Sequence, residues 1–154
     1  MKKRVLVIAV ILCIFMAGQA SSLGLGVQAN FYTGEDMFLP GFSLLVSPTE
    51  KFHIAANWLI GKENDTSIIG LTADAIVFDP LFFRIGVGGY ANIFLNDGFE
   101  HIRGGVRFPL GISLPIGKLE IFAHVAPSIG VNFDESLDFL DWFFPVAIGA
   151  RWWF

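Results

Sequence analysis

The chain has a single cysteine, Cys13, among its 154 residues. Cys13 lies inside an apolar N-terminal run, and the residue before it is Leu12 rather than the small residue that a lipoprotein signal needs. If this run is removed on export, no thiol is left. Disulfide bonds, thiolate metal sites and cysteine catalysis are then excluded together.

Charged residues are also scarce, at 16% of the chain, whereas hydrophobic residues make up 54%. No apolar stretch after Ala17 approaches the roughly 20 residues that a membrane-spanning helix needs. The apolar residues instead lie in short runs, with 17 glycines and 17 phenylalanines distributed over the chain. This composition is typical of a transmembrane β-barrel, whose strands expose alternate residues to lipid.

The N-terminus has the three parts of a secretory signal peptide. Residues 2–4 are positively charged, residues 5–17 form an apolar run, and residues 18–21 are mostly small and supply a cleavage site. The apolar run is shorter than a membrane-spanning helix. We therefore expect a cleaved signal peptide over residues 1–20 and a single domain over residues 21–154.

Export also changes the charge balance. Loss of Lys2, Lys3 and Arg4 reduces the ten basic residues to seven, against 14 acidic ones. Because binding to phosphates needs the opposite balance, we do not expect nucleic acid as a partner.

Beyond residue 20, apolar and polar residues alternate with the period of two that is typical of half-buried β-strands. The glycine pair Gly88-Gly89 makes a bulge possible in one of these segments. The pattern predicts eight strands, over residues 23–32, 38–47, 52–61, 67–78, 81–95, 102–112, 119–131 and 143–154.

The connections between these strands alternate in length and polarity. Turns after strands two, four and six are compact, whereas the others are more polar and generally longer. The longest covers residues 132–142 and contains four acids, Asp134, Glu135, Asp138 and Asp141. In an outer-membrane barrel the long loops face outward and the short turns face the periplasm. The sequence thus predicts an all-β fold: an eight-stranded antiparallel up-and-down transmembrane β-barrel with both termini in the periplasm.

The predicted inward face carries charges of both signs. We expect a lumen charge network made of Asp74, Arg84, Arg103, Arg107, Glu120, His124 and Arg151. An eight-stranded barrel is just wide enough to be filled by side chains, and buried charges must be paired, so these residues are expected to form a neutralising plug. An ion path or a ligand site is the alternative. Counting outward from the turn at residues 115–117 predicts that Arg107 pairs with Glu120.

No catalytic, cofactor-binding or metal-binding residues are predicted. His124 and Ser128 share a strand face but lie about 13 Å apart along it, which is too far for a nucleophile–base hydrogen bond. His53 and His101 have no adjacent serine, and metal-ligand clusters, phosphate-binding loops and nucleotide motifs are missing from the sequence. A lipid-modifying barrel enzyme is kept as a remote alternative.

The chain ends with the pattern Gly149-x-x-Trp152-x-Phe154, which resembles the C-terminal assembly signal of bacterial outer-membrane barrels. Ala147 stands where that signal usually has a polar residue. The whole chain beyond residue 20 resembles eight-stranded OmpA/OmpX/OmpW-like barrels, although it lacks the peptidoglycan-binding domain of the first group. The resemblance implies an outer-membrane location, contact with outer-membrane lipid, periplasmic chaperones and the barrel assembly machinery, and a monomeric state.

Two classes of function stay open at this point. One is a non-catalytic structural or surface-interaction protein, whose acidic loops contact partners. The other is passage or binding of small hydrophobic molecules or ions through the barrel. A soluble lipocalin-like barrel is a further alternative, and it requires every strand to carry its apolar face inward.

Overall fold

The computed structural model describes residues 22–34, 37–60, 67–96, 98–133, 137–139 and 142–154. The signal peptide predicted over residues 1–20 and the loop acids Asp134, Glu135 and Asp141 lie outside this part. No helix in the described ranges is long and apolar enough to cross a membrane.

The described part of the chain contains eleven strands. They are β1 (Gly24–Gly34), β2 (Met37–Thr49), β3 (Phe52–Ile60), β4 (Ser67–Phe78), β5 (Phe83–Asn96), β6 (Gly98–Arg107), β7 (Leu110–Ile116), β8 (Leu119–Val125), β9 (Ser128–Phe133), β10 (Leu137–Phe139) and β11 (Val146–Trp153).

These strands form one antiparallel sheet that closes on itself. β1 pairs with β2 on one side and with β11 on the other. β6 and β7 both pair with β5, so they are two halves of one barrel strand, and β8 and β9 are the two halves of the next. β10 extends the sheet beyond β9. The result is a closed eight-stranded barrel, which confirms the predicted all-β architecture.

The sixth and fifth barrel strands differ from the sequence prediction. The sixth begins at Gly98 and continues to Ile116, because Ser113 and residues 114–116, the latter predicted as part of a turn over residues 114–118, pair with the following strand instead. No bulge forms at Gly88-Gly89, where the pairing of β5 with β4 is continuous. The loop predicted over residues 132–142 contains the short strand β10.

Prolines interrupt three neighbouring barrel strands where β6 gives way to β7, where β8 gives way to β9, and just before β11. They are Pro109, Pro127 and Pro145. Each proline carbonyl accepts a hydrogen bond from the adjacent strand, from the backbone N–H groups of Gly86 (2.8 Å), Phe108 (2.9 Å) and Ala126 (2.8 Å) respectively. Because proline has no N–H, the reciprocal bond of each pair is missing. The Ala126 carbonyl, which cannot accept a hydrogen bond from Pro145, accepts one from the Ser128 hydroxyl at 2.7 Å instead. We call the three prolines, their hydrogen-bond partners on the adjacent strands and Ser128 the proline row.

The two faces of the barrel wall have opposite character. Ser43 on β2 has no exposed surface, whereas its neighbour Leu44 is 60% exposed. The same alternation on the other strands leaves large apolar side chains on the outside, including Leu25, Val27, Phe42, Trp58, Ile69, Leu71, Ile121, Ile148 and Trp152. Most buried polar side chains therefore face the interior, together with some apolar ones such as Leu45 and Phe122. A lipocalin-like barrel requires instead that the apolar face of every strand points inward.

The two ends of the barrel also differ. One end carries the three tight turns that join β2 to β3, β4 to β5, and β7 to β8, and we call it the turn end. The chain termini of the barrel meet there, where the Phe154 N–H donates to the Leu23 carbonyl at 2.9 Å. The opposite end, which carries the connections after β1, β3, β5 and β9, is the loop end. Only two residues separate β1 from β2 and one separates β5 from β6, so the prediction that these connections are longer than the turns fails at these two places.

Candidate functional site

A buried carboxylate organises the interior near the turn end. Glu120 on β8 is only 2% exposed. It forms ion pairs with Arg84 and with Arg151, whose Nη2 lies 3.3 Å from Oε1. The Ser113 hydroxyl (2.7 Å) and the Trp153 indole N–H (2.6 Å) also donate to it. Glu120 thus receives donors from β5, β7 and β11, and it ties these strands together through the lumen.

The local fold explains why these groups meet. Glu120 lies directly opposite Arg151 in the β8–β11 ladder and opposite Pro115 in the β7–β8 ladder. Inward-facing residues recur every second position along a strand, so Ser113 and Trp153 point to the same side as their neighbours Pro115 and Arg151. We call the group around Glu120 the turn-end cluster; it consists of Arg84, Ser113, Glu120, Arg151 and Trp153.

Arg151 extends this cluster across the lumen to the opposite wall. Its Nη1 donates to the Ser47 hydroxyl and to His53 Nδ1, each at 2.5 Å. The guanidinium also lies over the rings of Phe122 (5.1 Å) and Trp153 (5.0 Å). Since Arg151 is 2% exposed, one side chain links β11, β2, β3 and β8 away from bulk water.

The contact between Ser47 and His53 corrects one prediction. The sequence suggested that His53 has no adjacent serine, but Ser47 Oγ lies 2.9 Å from His53 Nδ1 across the β2–β3 turn. Ser47 has no exposed surface, and Arg151 donates to both groups. The atoms that a nucleophile and its base would use are therefore already engaged in structural contacts.

A second ion pair lies further along the lumen. Arg107 Nε is 3.2 Å from Asp74 Oδ1, and Arg107 Nη2 is 3.2 Å from His124 Nε2. In the sheet, Gly88 lies between Asp74 and Arg107, opposite both of them. A Cβ at Gly88 would collide with the Asp74 carboxylate and lie 2.9 Å from its Cα. The glycine therefore leaves the space in which the two charged side chains meet.

Hydrogen-bonded amides and hydroxyls occupy the interior of the first three strands. Gln28 Nε2 donates to Asn30 Oδ1 at 2.8 Å, and the Asn30 amide donates to the Ser43 hydroxyl. Ser43 Oγ donates in turn to Asn57 Oδ1 at 2.6 Å. All four residues are at most 6% exposed, so this chain of bonds stabilises polar groups that would otherwise be costly to bury.

Apolar side chains fill the interior near the loop end. Leu59, Ile68 and Phe94 form a buried cluster, and Tyr32 packs against it. Phe143 stacks on Tyr32 at 5.9 Å and meets the edge of Tyr90 at 5.4 Å. These six residues are called the loop-end cluster.

Arg103 is the predicted network residue that lies away from the others. Its guanidinium lies over the Phe94 ring at 4.4 Å, and its Nε donates to Asn132 Oδ1 at 2.6 Å. The structure places the remaining predicted residues, Asp74, Arg84, Arg107, Glu120, His124 and Arg151, in the turn-end and middle parts of the lumen.

The predicted pairing of Arg107 with Glu120 is wrong. The register that starts at the β7–β8 turn places Pro115 opposite Glu120 and Arg107 opposite Ser128. Ser128 is eight residues beyond Glu120, or roughly 25 Å along the strand. Counting from the turn identified the inward face correctly but not the level of each side chain along the lumen.

Ser47, Ser113, His53 and Trp153 are site residues that sequence reasoning did not select. The inward position of Ser47, His53 and Trp153 was available from the alternation, whereas Ser113 lies beyond the end of the predicted sixth strand. The contacts of Ser47 and His53 with Arg151 join residues about 100 positions apart, which the alternation does not predict. Within the described residues, no group of three or more histidine, cysteine, aspartate or glutamate side chains could hold a metal ion.

A small internal cavity of about 50 Å³ lies beside these charged groups. Its volume is comparable to that of one or two water molecules. The polar side chains that border it are His53, Asp74, Arg84, His124 and Arg151. At the turn end a wider open mouth of about 410 Å³ leads to Arg84 and Glu120.

The residues of the predicted assembly signal occupy both faces of β11 and its end. Trp152 and Phe154 are 47% and 66% exposed on the outer surface. Gly149 faces inward, where a Cβ would approach Phe122 Cζ to 2.6 Å and Gln28 Cβ to 2.7 Å. Packing alone therefore favours glycine at this position.

No protein-family model, curated protein or solved structure matches the chain.

Proposed function

We propose that this chain is an integral outer-membrane β-barrel protein, non-catalytic, with a filled polar lumen and a structural or surface-interaction role. The observation that carries the proposal is the inverted distribution of side chains. Large apolar residues cover the outside of a closed barrel, and charged and amide residues are buried within it. Each exposed apolar side chain is unfavourable in water by about 25 cal/mol per Å², and lipid removes that cost.

Closure of the sheet supports the same proposal. In the hydrocarbon region every backbone polar group must be satisfied within the protein, and a closed barrel does this because it has no edge strand. β1 and β11 pair over eight positions, from Gly24↔Trp153 to Phe31↔Val146. The wall is therefore continuous where the first and last strands meet.

The location rests on the sequence features at the two ends of the chain. The signal peptide would direct export, and Gly149, Trp152 and Phe154 would be read by the barrel assembly machinery after delivery by periplasmic chaperones. The resemblance to OmpA/OmpX/OmpW-like barrels points the same way. With the turn end in the periplasm, the loops that carry the acidic residues would face outward as a surface for partners.

The packing of the interior favours a structural role over passage of molecules. The turn-end cluster and the loop-end cluster both occupy the lumen, and Leu59 and Ile68 are at most 2% exposed. Passage of a hydrophobic molecule or an ion would require these side chains to move aside.

The proposal is tested by expressing the full chain in a diderm bacterium and fractionating the envelope. We expect the protein in the outer membrane, with an electrophoretic mobility that changes on boiling, as folded barrels show. Replacing both Trp152 and Phe154 by Ser should impair assembly while leaving secretion and signal cleavage intact. The matched control replaces Trp142 and Phe144, which are exposed to a similar extent outside the signal, and should assemble normally.

A folded protein that stays soluble without detergent would contradict the proposal. Assembly of the Trp152→Ser/Phe154→Ser variant at the level of the control would contradict only the role of the terminal residues as an assembly signal.

A further inference from the structure

The three turns at the turn end have different chemistry. The β2–β3 turn exposes Glu50 and Lys51, and the β7–β8 turn exposes Gly117 and Lys118. The β4–β5 turn instead exposes apolar side chains at its tip. Leu81 is 89% exposed, the highest exposure among the large apolar residues that the structure describes, and the adjacent Phe82 is 51% exposed.

The backbone of this turn makes the choice of leucine more unusual. Leu81 has a φ of 56° and is the only non-glycine residue in the described ranges with a positive φ. The β7–β8 turn adopts a similar angle, 63°, at Gly117, where no Cβ is strained. A left-handed conformation disfavours a residue with a Cβ by roughly 1–2 kcal/mol. Leu81 therefore combines an unfavourable backbone with an apolar side chain that the barrel itself does not bury.

The exposed tip is continuous with the apolar outer wall. Phe83 follows the turn and lies opposite Ile112 in the β5–β7 ladder, and both are exposed. Phe78 precedes the turn and lies opposite Ile85. Further apolar residues on the same side of the wall are Val77, Leu110 and Leu114. The apolar surface thus runs from the wall to the tip along the β5 side of the turn, through Phe83 and Phe82 to Leu81. On the β4 side the turn carries the exposed Asp79, whose carboxylate lies 3.6 Å from Arg84 Nε.

We propose that the β4–β5 turn inserts Leu81 and Phe82 into the interfacial layer of a phospholipid leaflet, so that this corner of the barrel is held deepest. The inference rests on the proposed membrane function, and lipid is the occupant because the patch continues the surface assigned to lipid. Leu81 also lies at the rim of the turn-end mouth, near Glu50 and Lys118. The two polar turns on the same rim remain in water.

Site-directed spin labelling tests this arrangement. Single cysteines are introduced into the full chain carrying Cys13→Ser, at Leu81, Glu50, Lys118 and Leu44, and labelled with a nitroxide in phosphatidylethanolamine/phosphatidylglycerol vesicles. Collision rates with oxygen, which partitions into lipid, and with a water-soluble nickel chelate report the environment of each label. We expect the oxygen-to-nickel ratio at position 81 to be severalfold higher than at positions 50 and 118. A second label at Phe82 guards against disturbance of the strained position.

The outcomes separate this inference from the membrane proposal. The insertion of the turn is overturned if the oxygen-to-nickel ratio at positions 81 and 82 equals that at positions 50 and 118. If position 44 is in lipid in the same experiment, the proposal of a membrane barrel still stands. A label at position 81 that neither reagent reaches also overturns the insertion of the turn, because that result indicates contact with another protein. Water exposure at position 44 would contradict the membrane function itself.

Discussion

The two ends of the barrel interior are filled by opposite kinds of interaction. At the turn end, directional hydrogen bonds and ion pairs surround Glu120, and its partners come from three other strands, β5, β7 and β11. At the loop end, Leu59, Ile68 and Phe94 pack without polar contacts between them. The proline row lies between the two along the sixth, seventh and eighth barrel strands. The comparison indicates that the turn end depends on charge balance, whereas the loop end depends on the fit of apolar volume.

The largest expected effect comes from removing the charge at the centre of the turn-end cluster. Glu120→Gln leaves Arg84 and Arg151 without their shared carboxylate, and breaking a buried ion pair in this way costs about 3–5 kcal/mol. Urea titration of the barrel in lipid vesicles measures the free energy of unfolding. Adding Arg151→Gln should recover part of the loss, and the exposed substitution Glu50→Gln should have little effect. Purely additive losses in the double variant would show that the two side chains are not coupled.

The loop-end cluster should respond to loss of volume. Leu59→Ala removes a fully buried side chain, and such changes cost about 2–5 kcal/mol. The matched control is Ile60→Ala, one residue further along β3 on the exposed outer face, where truncation leaves no enclosed cavity. Equal losses for the two variants in the same urea titration would contradict the assignment of Leu59 to a packed interior.

Adjacent glycines on β5 test the ion pair in the middle of the lumen. Gly88→Ala places a methyl group against the Asp74 carboxylate, and overpacking of this kind costs about 1–3 kcal/mol. At Gly89 the nearest atom to an added Cβ is 3.5 Å away, so Gly89→Ala should be nearly neutral. The outcome against this account is a Gly89→Ala variant that is destabilised as much as Gly88→Ala.

The smallest effect is expected at the proline row. Ser128→Ala removes the hydroxyl that donates to the Ala126 carbonyl, a contribution of about 0.5–1.5 kcal/mol. Pro145→Ala restores a backbone N–H opposite that carbonyl, so the double variant should regain stability relative to Ser128→Ala alone. If Pro145→Ala changes the free energy of unfolding equally in the presence of Ser128 and of Ser128→Ala, the hydroxyl does not compensate for the N–H that Pro145 lacks.

The barrel could be predicted from the sequence because the features that define its wall are local, that is, they involve residues close to one another along the chain. Alternation along each strand identified which residues face inward, and the compact turns identified which strands are neighbours. The partners of Glu120 were not predictable in this way. Arg84 and Glu120 lie on β5 and β8, which are separated by β7, so their meeting depends on strand tilt and stagger around the closed barrel. The same reason explains why the contact of Arg151 with His53 was missed.

The central claim is that the outer face of the barrel is in contact with lipid, and Leu44 tests it most directly. Leu44 is 60% exposed in the middle of β2. An arginine on the lipid face near the bilayer midplane costs about 2–4 kcal/mol, whereas an exposed position in water tolerates it within about 0.5 kcal/mol. The free energy of unfolding in lipid vesicles is compared for Leu44→Arg and for Glu50→Arg at the polar β2–β3 turn. A loss of about 2–4 kcal/mol for Leu44→Arg alone is predicted, and two equally small changes would contradict the membrane assignment.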